Sequence, residues 1–583
     1  MNIAQKPAWF HLSVTQPLAL PFNPWWLLWV MGIAGAWLLP THFIPWGGFH
    51  ADLLMTLALL PAAFWIVLRT SRPLPLNASV IVALCTACVP LLQFSTGIIH
   101  FAGDAWIPGL YLFGFALALL VGARFEQAAA GQLINALFAA IGAAALLSTG
   151  IILYQWLGLS GLGLLTLHLP AGYRPFGNLG QPNNLATLLA WGLVALWWAY
   201  LSARVRGWIA VGAAACLLFG IVATQSRTAW LEIAALGVAA AVYRKQLVVH
   251  SYANVLLALG TLFILLVLGW GDINHALHLQ AARELSGEMS SPGLRPMAWR
   301  LFFDALTQHP WMGWGWNQLS VAQSAVASDH PKLGNTFQSA HNLVIDLLVQ
   351  NGVLLGTALV LLLGIWFTAK ALRVHTAQGC LLLIAIGVLL VHSMLEFPHE
   401  YLYFLLPAGL MMGSLDTLYP SRGVIALPRW VGIIFLCLGA ATTTWVTVEY
   451  NMAERSLERL RFERNQVGPS RNSKAPDLLL LTQLREFLRY LRMPLGVEVT
   501  PQQLNNMRMV TERFPSEGNH LVFAVAAGLS GRPELARDAL LRMCHMVPNE
   551  TCRTTLITWK SLAAASPELS AVEVPPPLQN IID

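Results

Sequence analysis

His341 stands in TFQSAHNLVIDLLVQNGV, at the lip of a long apolar run, where an imidazole could accept or orient the proton of a hydroxyl group. Basic side chains at comparable positions could hold an anion. Arg227, in ATQSRTAWLEIAAL, joins two apolar segments with no acidic neighbour nearer than Glu232, and its planar guanidinium suits bidentate recognition of phosphate. An interfacial arginine reaching towards lipid headgroups is the structural alternative. Arg295 and Arg300 lie in GLRPMAWRLFFDALTQHPWMGWGWNQ, where Pro296 suits a first helical turn. Met297, Trp299, Leu301, Phe302 and Leu306 mix there with Arg300, Asp304 and Gln308 on a short amphipathic helix, expected to lie on a membrane surface. Arg300 and Asp304, four apart, could equally form a structural ion pair. Trp311, Trp314 and Trp316, spaced by glycines, could stack on sugar rings or form an interfacial belt. Arg174 belongs to YRPFGNLGQPNN, whose Asn178, Gln181 and Asn183 could hydrogen-bond sugar hydroxyls or phosphate oxygens; a solvated turn with Pro182 opening the next helix is the plainer reading.

The local geometry at the histidine follows from capping rules. With Ser339 as N-cap, His341 falls at the second helical position, where free backbone N–H groups and the helix dipole disfavour its protonated form. A neutral imidazole is what a general base requires. Asp346, five residues on and turned about 140° at helical periodicity, is not its expected partner.

The elements that must carry these groups are membrane helices. Of 583 residues, 56% are hydrophobic and only 11% charged, far from the charged share of a soluble domain. Segments of about 20 apolar residues bounded by Arg, Lys, Pro or Gly number about thirteen. Their centres lie near Val30, Leu60, Ala87, Phe115, Leu146, Leu193, Leu217, Leu236, Leu259, Leu355, Gly387, Pro407 and Leu436. With the N-terminus inside, one side receives Lys6, Arg69, Arg72, Arg124, Arg204, Arg206, Arg244, Lys245, Lys370, Arg373, Arg422 and Arg429. The other side carries Arg174, Arg227, Arg283, Arg295, Arg300 and Lys332 before the last helix, an asymmetry that matches the positive-inside rule. The odd number of spans then puts the tail outside. The first 24 residues, with four prolines and no cleavage-site pattern, do not read as a cleavable signal peptide.

The chain therefore divides into N-terminal membrane helices (1–270), a long outer loop (271–340), further membrane helices (341–449) and an outer helical tail (450–583). In the tail, HLVFAVAAGLSGRPELARDALLRMCHMVP reads as a helical hairpin, similar to one tetratricopeptide unit, although one unit is not an array. Cys85, Cys88, Cys216, Cys380 and Cys437 lie in apolar segments and read as small buried hydrophobes. Cys544 and Cys552 lie in the outer tail, where an oxidising compartment allows a disulfide; a continuous helix between them would hold their α-carbons about 12 Å apart, too far to bridge. A Lys/Arg stripe for nucleic acid, a P-loop, and zinc-protease or deaminase patterns are absent from the sequence.

Taken together, the order R-P-F-G-N-x-G-Q-P-N, S-R-T-A-W, R-P-x-x-W-R, H-P-W-x-G-x-G-W, S-A-H-N and H-S-x-x-E-F-P resembles the bacterial protein O-oligosaccharyltransferases, the pilin and general O-glycosylation ligases, within the superfamily of O-antigen ligases and polymerases. The resemblance covers roughly residues 20 to 450, and the helical tail is similar as well. It departs at EFPHEY, where His399 and Glu400 are more charged than the pattern. The resemblance implies an all-α polytopic protein of the bacterial inner membrane with its active site facing the periplasm. It implies metal-independent, cofactor-free, inverting transfer of a preassembled oligosaccharide from undecaprenyl pyrophosphate to a Ser or Thr hydroxyl of a periplasmic protein such as pilin. His341 would be catalytic, with Arg227, Arg300, Arg174 and Arg295 on the pyrophosphate. Asn178, Gln181, Asn183, Trp314, Trp316, Asn342 and Glu396 would touch glycan or acceptor. An O-antigen ligase or polymerase would use the same groups with a glycan acceptor. A transporter is the non-enzyme rival, but neither a strong internal repeat nor a mid-helix carboxylate of the expected kind stands out.

Overall fold

A computed structural model describes residues 24–69, 74–279, 293–420, 424–467, 473–494, 496, 499–575 and 578. Lys6, Arg72, Arg283 and Arg422, counted in the charge asymmetry, lie outside the described residues, as does the N-terminal stretch read for a signal peptide. The first part forms α1 (Pro24–Leu38), α2 (Phe49–Arg69), α3 (Ala78–Ser95), α4 (Ala102–Ala128), α5 (Gln132–Trp156), α6 (Pro182–Leu201), α7 (Gly207–Ala223), α8 (Arg227–Val242), α9 (Ala253–Leu268) and α10 (Trp270–Ala276). The outer loop holds α11 (Arg295–Gln308) and α12 (Leu319–Val326). Then come α13 (Leu343–Arg373), α14 (Ala377–Ser393), α15 (Leu402–Leu418) and α16 (Arg429–Arg464). Every sequence-predicted span centre falls inside one of these helices.

The number of spans is a different matter. Seven described helices, α2 to α6, α13 and α16, are long and apolar enough to cross a membrane, and α9 with α10, bent by 60°, makes an eighth if the pair is one span. The chain is thus a multi-pass membrane protein, but thirteen spans are not reached on that measure. The reason is length. α1, α7, α8, α14 and α15 have 15 to 17 residues, and at 1.5 Å per residue such helices fall short of a hydrocarbon core of about 30 Å. The all-α expectation also misses a short antiparallel ribbon, β1 (Leu74–Asn77) with β2 (Val424–Leu427), which pairs the links after α2 and before α16 in the register Leu74↔Leu427.

Helix contacts are close because side chains are small. α4 and α15 approach until a Cβ on Gly413 would stand 2.0 Å from the Leu119 carbonyl oxygen, the way membrane helices gain packing without a hydrophobic driving force. The fold also contains a broken helix. Within α13, Gly352 has φ 76° and ψ 173°, and the freed backbone groups are met by the HPWMGWGW loop. Val353 N–H donates to Pro310 O (2.7 Å), Trp314 N–H to Val349 O (2.8 Å) and Gly315 N–H to Gln350 O (3.1 Å). The Gln93 amide donates to Gln350 O (2.8 Å) and Met312 O (3.2 Å) and accepts from Trp316 N–H (3.2 Å). Non-helical backbone inside a membrane protein persists when protein satisfies it.

The loop expected outside, 271–340, packs on protein more than was expected where it is described. The apolar face of α11 (Ala298, Leu301, Phe302, Ala305, Leu306) is buried in one cluster with Leu319, Phe337, Ile345 and Val349, so α11 is docked on α12 and α13. Asp304 pairs with His330 (3.1 Å), not with Arg300, which is exposed. Beyond the last apolar stretch there is no break at 450, because α16 runs on as one helix to Arg464 and carries the chain into the tail. There α17 (Thr482–Tyr490), α18 (Pro501–Arg513), α19 (Glu517–Leu529), α20 (Pro533–Met546), α21 (Asn549–Ala564) and α22 (Pro567–Ser570) follow. The hairpin is present as α19 and α20, with the SGRP break between them; a tetratricopeptide likeness is not established by it. The tail is fastened to the membrane part by Arg513, whose guanidinium meets the fully buried Asp104 carboxylate (2.9 Å) at the start of α4. Glu449 on α16 accepts the backbone N–H groups of Leu479, Leu480 and Leu481.

Cys544 and Cys552 are disulfide-bonded with α-carbons 5.0 Å apart. The helix that would have separated them ends at Met546, and extended Val547 and Pro548 fold the chain back before α21 begins. Of the other five, only Cys380 is buried. Cys85, Cys88, Cys216 and Cys437 are exposed on helix surfaces, correcting their reading as buried residues; in a membrane those faces meet lipid.

Two outcomes test this arrangement. A Cβ at position 352 would meet Trp311 O at 2.4 Å in a conformation L-residues rarely adopt, so Gly352→Ala should cost about 1–3 kcal/mol, read as a lower melting temperature in detergent. Cys552→Ser should cost about 2 kcal/mol or more on the same measurement, and the intact protein should resist thiol labelling at Cys544 and Cys552 until reduced.

Candidate active site

His341 is not on a helix. α13 begins at Leu343 with Asn342 as its N-cap, the Asn342 side chain accepting from the N–H groups of Val344 (3.0 Å) and Ile345 (3.2 Å). The expectation that Ser339 caps and that His341 feels the helix dipole at the second position is therefore corrected. Asn outcompetes Ser here because the Ser339 hydroxyl is engaged elsewhere, donating to Asp346 (2.7 Å) and accepting the His341 N–H (3.0 Å). The second Asp346 oxygen accepts from Ala340 N–H (2.6 Å). One buried carboxylate in the first turn of α13 thus reaches back and folds the Ser-Ala-His turn, leaving His341 at φ 55°.

That turn aims the imidazole at Glu396. His341 Nδ1 lies 2.7 Å from Glu396 Oε2, and the rings of Phe337 and Phe397 stand edge-on to it at 5.9 and 5.0 Å. With Nδ1 occupied by the carboxylate as an N–H donor, Nε2 is the nitrogen left to accept a proton. Glu396 also accepts from the Arg295 guanidinium at the start of α11 and from the Asn183 amide at the start of α6 (2.8 Å). The other end of the Asn183 side chain accepts from Ser226 (2.7 Å), the N-cap of α8, next to Arg227. Arg174 donates to Gln225 O (3.0 Å), two residues before Arg227. Four stretches far apart in sequence, around 174–184, 225–227, 295 and 341, meet around one carboxylate.

The remaining sequence-predicted residues are placed differently. Asn178 is buried and donates to Leu38 O and Leu165 O while accepting from Leu167 N–H, which ties its loop together and to the end of α1. Gln181 caps α6 through Asn184 N–H (2.6 Å). The Trp314 indole donates to Ala305 O (2.7 Å) on α11 and the Trp316 indole to Asn351 (2.9 Å) beside the break in α13, so both are bonded within the protein. Asn342 adds to its cap a bond to Met394 O (3.1 Å). Arg300, turned about 140° from Arg295 on α11, is exposed, and Arg295 is the arginine of that helix joined to the histidine's partner. Glu396, expected to touch glycan or acceptor, is bonded to His341, Arg295 and Asn183 and is the hub of the cluster. Its H-S-x-x-E-F-P spacing, just past a helix end, was the available signal, but no periodicity links residue 396 to 341.

Asp346, His399 and Glu400 form a group with ligand-type atoms within 4.8 Å of one another. Both oxygens of Asp346 already accept the turn hydrogen bonds described above. Beside the site, a cavity of about 640 Å³ runs between α8, α13 and α14, lined by Val238, Val242, Leu343, Leu347, Phe367 and Met394 among others. Its lining is apolar, and Leu343 and Met394 put one end next to Asn342.

Sequence comparisons place this geometry in context. The O-antigen ligase family pattern matches residues 212–361, the protein glycosylation ligase pattern 175–199, and the pattern described as virulence factor membrane-bound polymerase, C-terminal, 380–561. A General O-oligosaccharyltransferase of Acinetobacter baylyi is 28% identical over 500 residues, covering 83% of this chain and 86% of the relative. The chain is similar to the O-oligosaccharyltransferases and O-antigen ligases. A ComP-specific O-oligosaccharyltransferase of the same organism is 25% identical over 245 residues, 42% of this chain and 44% of that one. The three matched segments hold Asn183, then Arg227, Arg295 and His341, then Glu396, so each contributes to the same cluster.

Burial pushes the Glu396 carboxyl up, but the hydrogen bond from His341 and the charges of His341 and Arg295 outweigh it and hold the group below its ordinary 4.5. A depressed carboxylate stabilises the fold above its unfolded value and loses that contribution as pH falls through the folded one. Arg295→Met removes one of those causes, so the acid limb of thermal stability should move to higher pH. Melting curves of wild type and variant between about pH 3 and 6 measure it, and coincident limbs would show that Arg295 does not hold the carboxylate.

Proposed function

We propose that the chain is a glycosyltransferase of the bacterial inner membrane that moves a preassembled oligosaccharide from undecaprenyl pyrophosphate to a Ser or Thr hydroxyl of a periplasmic protein. The observation that carries this reading is the His341–Glu396 pair, with Arg295 on the same carboxylate, Asn183 linking it to the Ser226 cap beside Arg227, and an apolar cavity adjoining at Leu343 and Met394. A lipid-linked donor needs that combination: an apolar surface for a polyprenyl chain, concentrated positive charge for a pyrophosphate, and a base for the incoming hydroxyl. Arg69, Arg124, Lys370 and Arg373 stand at the opposite ends of α2, α4 and α13 from the site, which supports a periplasmic site by the positive-inside rule. The bonded Cys544–Cys552 pair supports the same side.

In the reaction, the acceptor oxygen attacks the anomeric carbon while the bond from that carbon to the pyrophosphate oxygen breaks. The electron pair leaves with the pyrophosphate, whose added charge the guanidinium groups stabilise. The hydroxyl proton passes to His341 Nε2, and Glu396 stabilises the imidazolium through Nδ1. Direct displacement inverts the anomeric centre. The match to a membrane-bound polymerase pattern over 380–561 favours a second reading, an O-antigen ligase or polymerase with a glycan acceptor. Supplying purified protein with a lipid-linked glycan and either a periplasmic acceptor protein or a glycan acceptor separates the two.

His341→Ala should lower transfer per mole of folded protein by about 100-fold or more while leaving binding of the lipid-linked donor nearly intact, because its contribution belongs to the transition state. Arg227→Lys should lower it about tenfold, since a point charge lacks the bidentate fork. Activity close to wild type in His341→Ala, measured on detergent-purified protein, would overturn the assignment.

A further inference from the structure

A second polar layer lies beneath the site, inside the helix bundle. Thr187 on α6, Glu232 on α8 and His392 on α14 are each completely buried. The Thr187 hydroxyl lies 2.6 Å from Glu232 Oε1 and 2.7 Å from His392 Nδ1. The upper layer repeats the order of helices: Ser226 of α8 donates to Asn183 of α6, and Asn183 donates to Glu396, just past α14. On α6 and at the end of α14 the two layers are one helical turn apart. Thr187 follows Asn183 by four residues and contacts its carbonyl (3.2 Å), and Glu396 follows His392 by four, its N–H donating to the His392 carbonyl (2.9 Å).

A polar trio at this depth is costly without partners, so its members hold one another strongly. A hydroxyl has one hydrogen to donate. The Thr187 hydroxyl donates to Glu232 Oε1 and can accept from His392 Nδ1, so one side chain joins the other two in a single hydrogen-bonded chain. Such a chain has direction and fixed length. Slipping one helix by a single residue moves its side chains 1.5 Å along and about 100° around the axis, enough to take Asn183 away from Glu396.

We propose that Thr187, Glu232 and His392 are positioning residues: a hydrogen-bonded pin that fixes the axial register of α6, α8 and α14, and through it the Asn183–Glu396 bond that orients His341. The activity arm of its test rests on the transfer reaction proposed above; a labelling arm does not. Thr187→Val should lower kcat by about tenfold to 100-fold, the scale of a misplacement of about 1 Å, with KM for the lipid-linked donor changed less than about threefold. Thr187→Ser should restore kcat, and Glu232→Gln and His392→Asn, which keep hydrogen-bonding atoms, should retain far more activity than Glu232→Leu and His392→Ala. Independently of any substrate, the rate of diethylpyrocarbonate modification of His341, followed by mass spectrometry, should rise at least about threefold in Thr187→Val as the imidazole loosens from Glu396, and stay at the wild-type rate in Thr187→Ser.

Wild-type kcat and labelling in Thr187→Val overturn the proposal. So does impairment of Thr187→Ser equal to that of Thr187→Val, which assigns the effect to packing, or of Glu232→Gln equal to Glu232→Leu, which assigns it to the carboxylate's charge. Should Thr187→Val give no folded protein, the Gln and Asn variants decide by the same comparisons. Absence of transfer by wild-type protein counts against the proposed function, and the labelling rates then decide the pin alone.

Discussion

One carboxylate organises the end of this protein at which α6, α8, α11 and α13 begin. Glu396 sits just beyond the end of α14 and receives an imidazole, a guanidinium and an amide, each from a different part of the chain. A carboxylate buried at a membrane interface is stable only when such donors converge on it. Removing the donors would leave an uncompensated charge; removing the carboxylate would leave Arg295 and Asn183 without their acceptor and His341 without orientation. The mutual need of these groups explains why the outer loop must fold back onto the membrane helices: Arg295 reaches Glu396 only if α11 is docked, and α11 docks by burying Leu301, Phe302 and Leu306 against α12 and α13.

The broken helix serves the same end. A straight α13 would expose no backbone at its middle for the HPWMGWGW loop, and that loop continues directly from α11 and holds its far end in place. Gly352 opens the helix, the carbonyls of Val349 and Gln350 accept from Trp314 and Gly315, and Pro310 accepts from Val353. Two irregular segments that would each be unstable in lipid satisfy one another. Two of the tryptophans read as sugar platforms belong to this exchange, since Trp314 and Trp316 each donate to a fixed acceptor within the protein.

The tail is joined to the membrane part by few but demanding contacts. Asp104 is fully buried and meets Arg513, and Gly103 N–H donates to the Thr482 hydroxyl (2.9 Å). Gly334 N–H donates to His545 O (3.1 Å), so the corner held by the Cys544–Cys552 bond touches the stretch that leads into the His341 turn. The tail is thereby in contact with the segment that leads, through residues 334 to 341, to His341.

Composition by itself settled the class, because 11% charged residues among long apolar runs admit nothing but a membrane protein, and the helix centres follow from the same hydropathy. Motif order pointed to His341, Arg227 and Arg300, with Arg174 and Arg295 beside them, since a charged or titratable group beside lipid is too costly to be casual; that Arg295 and not Arg300 joins Glu396 was left to the tertiary structure. Capping at Asn342, the backward reach of Asp346 and the break at Gly352 depended on competition among neighbouring groups, which spacing alone does not rank. Asn178, Trp314 and Trp316 carry side chains suited to sugars, yet their partners are internal, and only three-dimensional proximity shows a donor already satisfied. The convergence of residues 183, 295, 341 and 396 was beyond the sequence for the plainest reason: hydropathy and helical periodicity describe neighbours along the chain, whereas a buried carboxylate selects its donors across space.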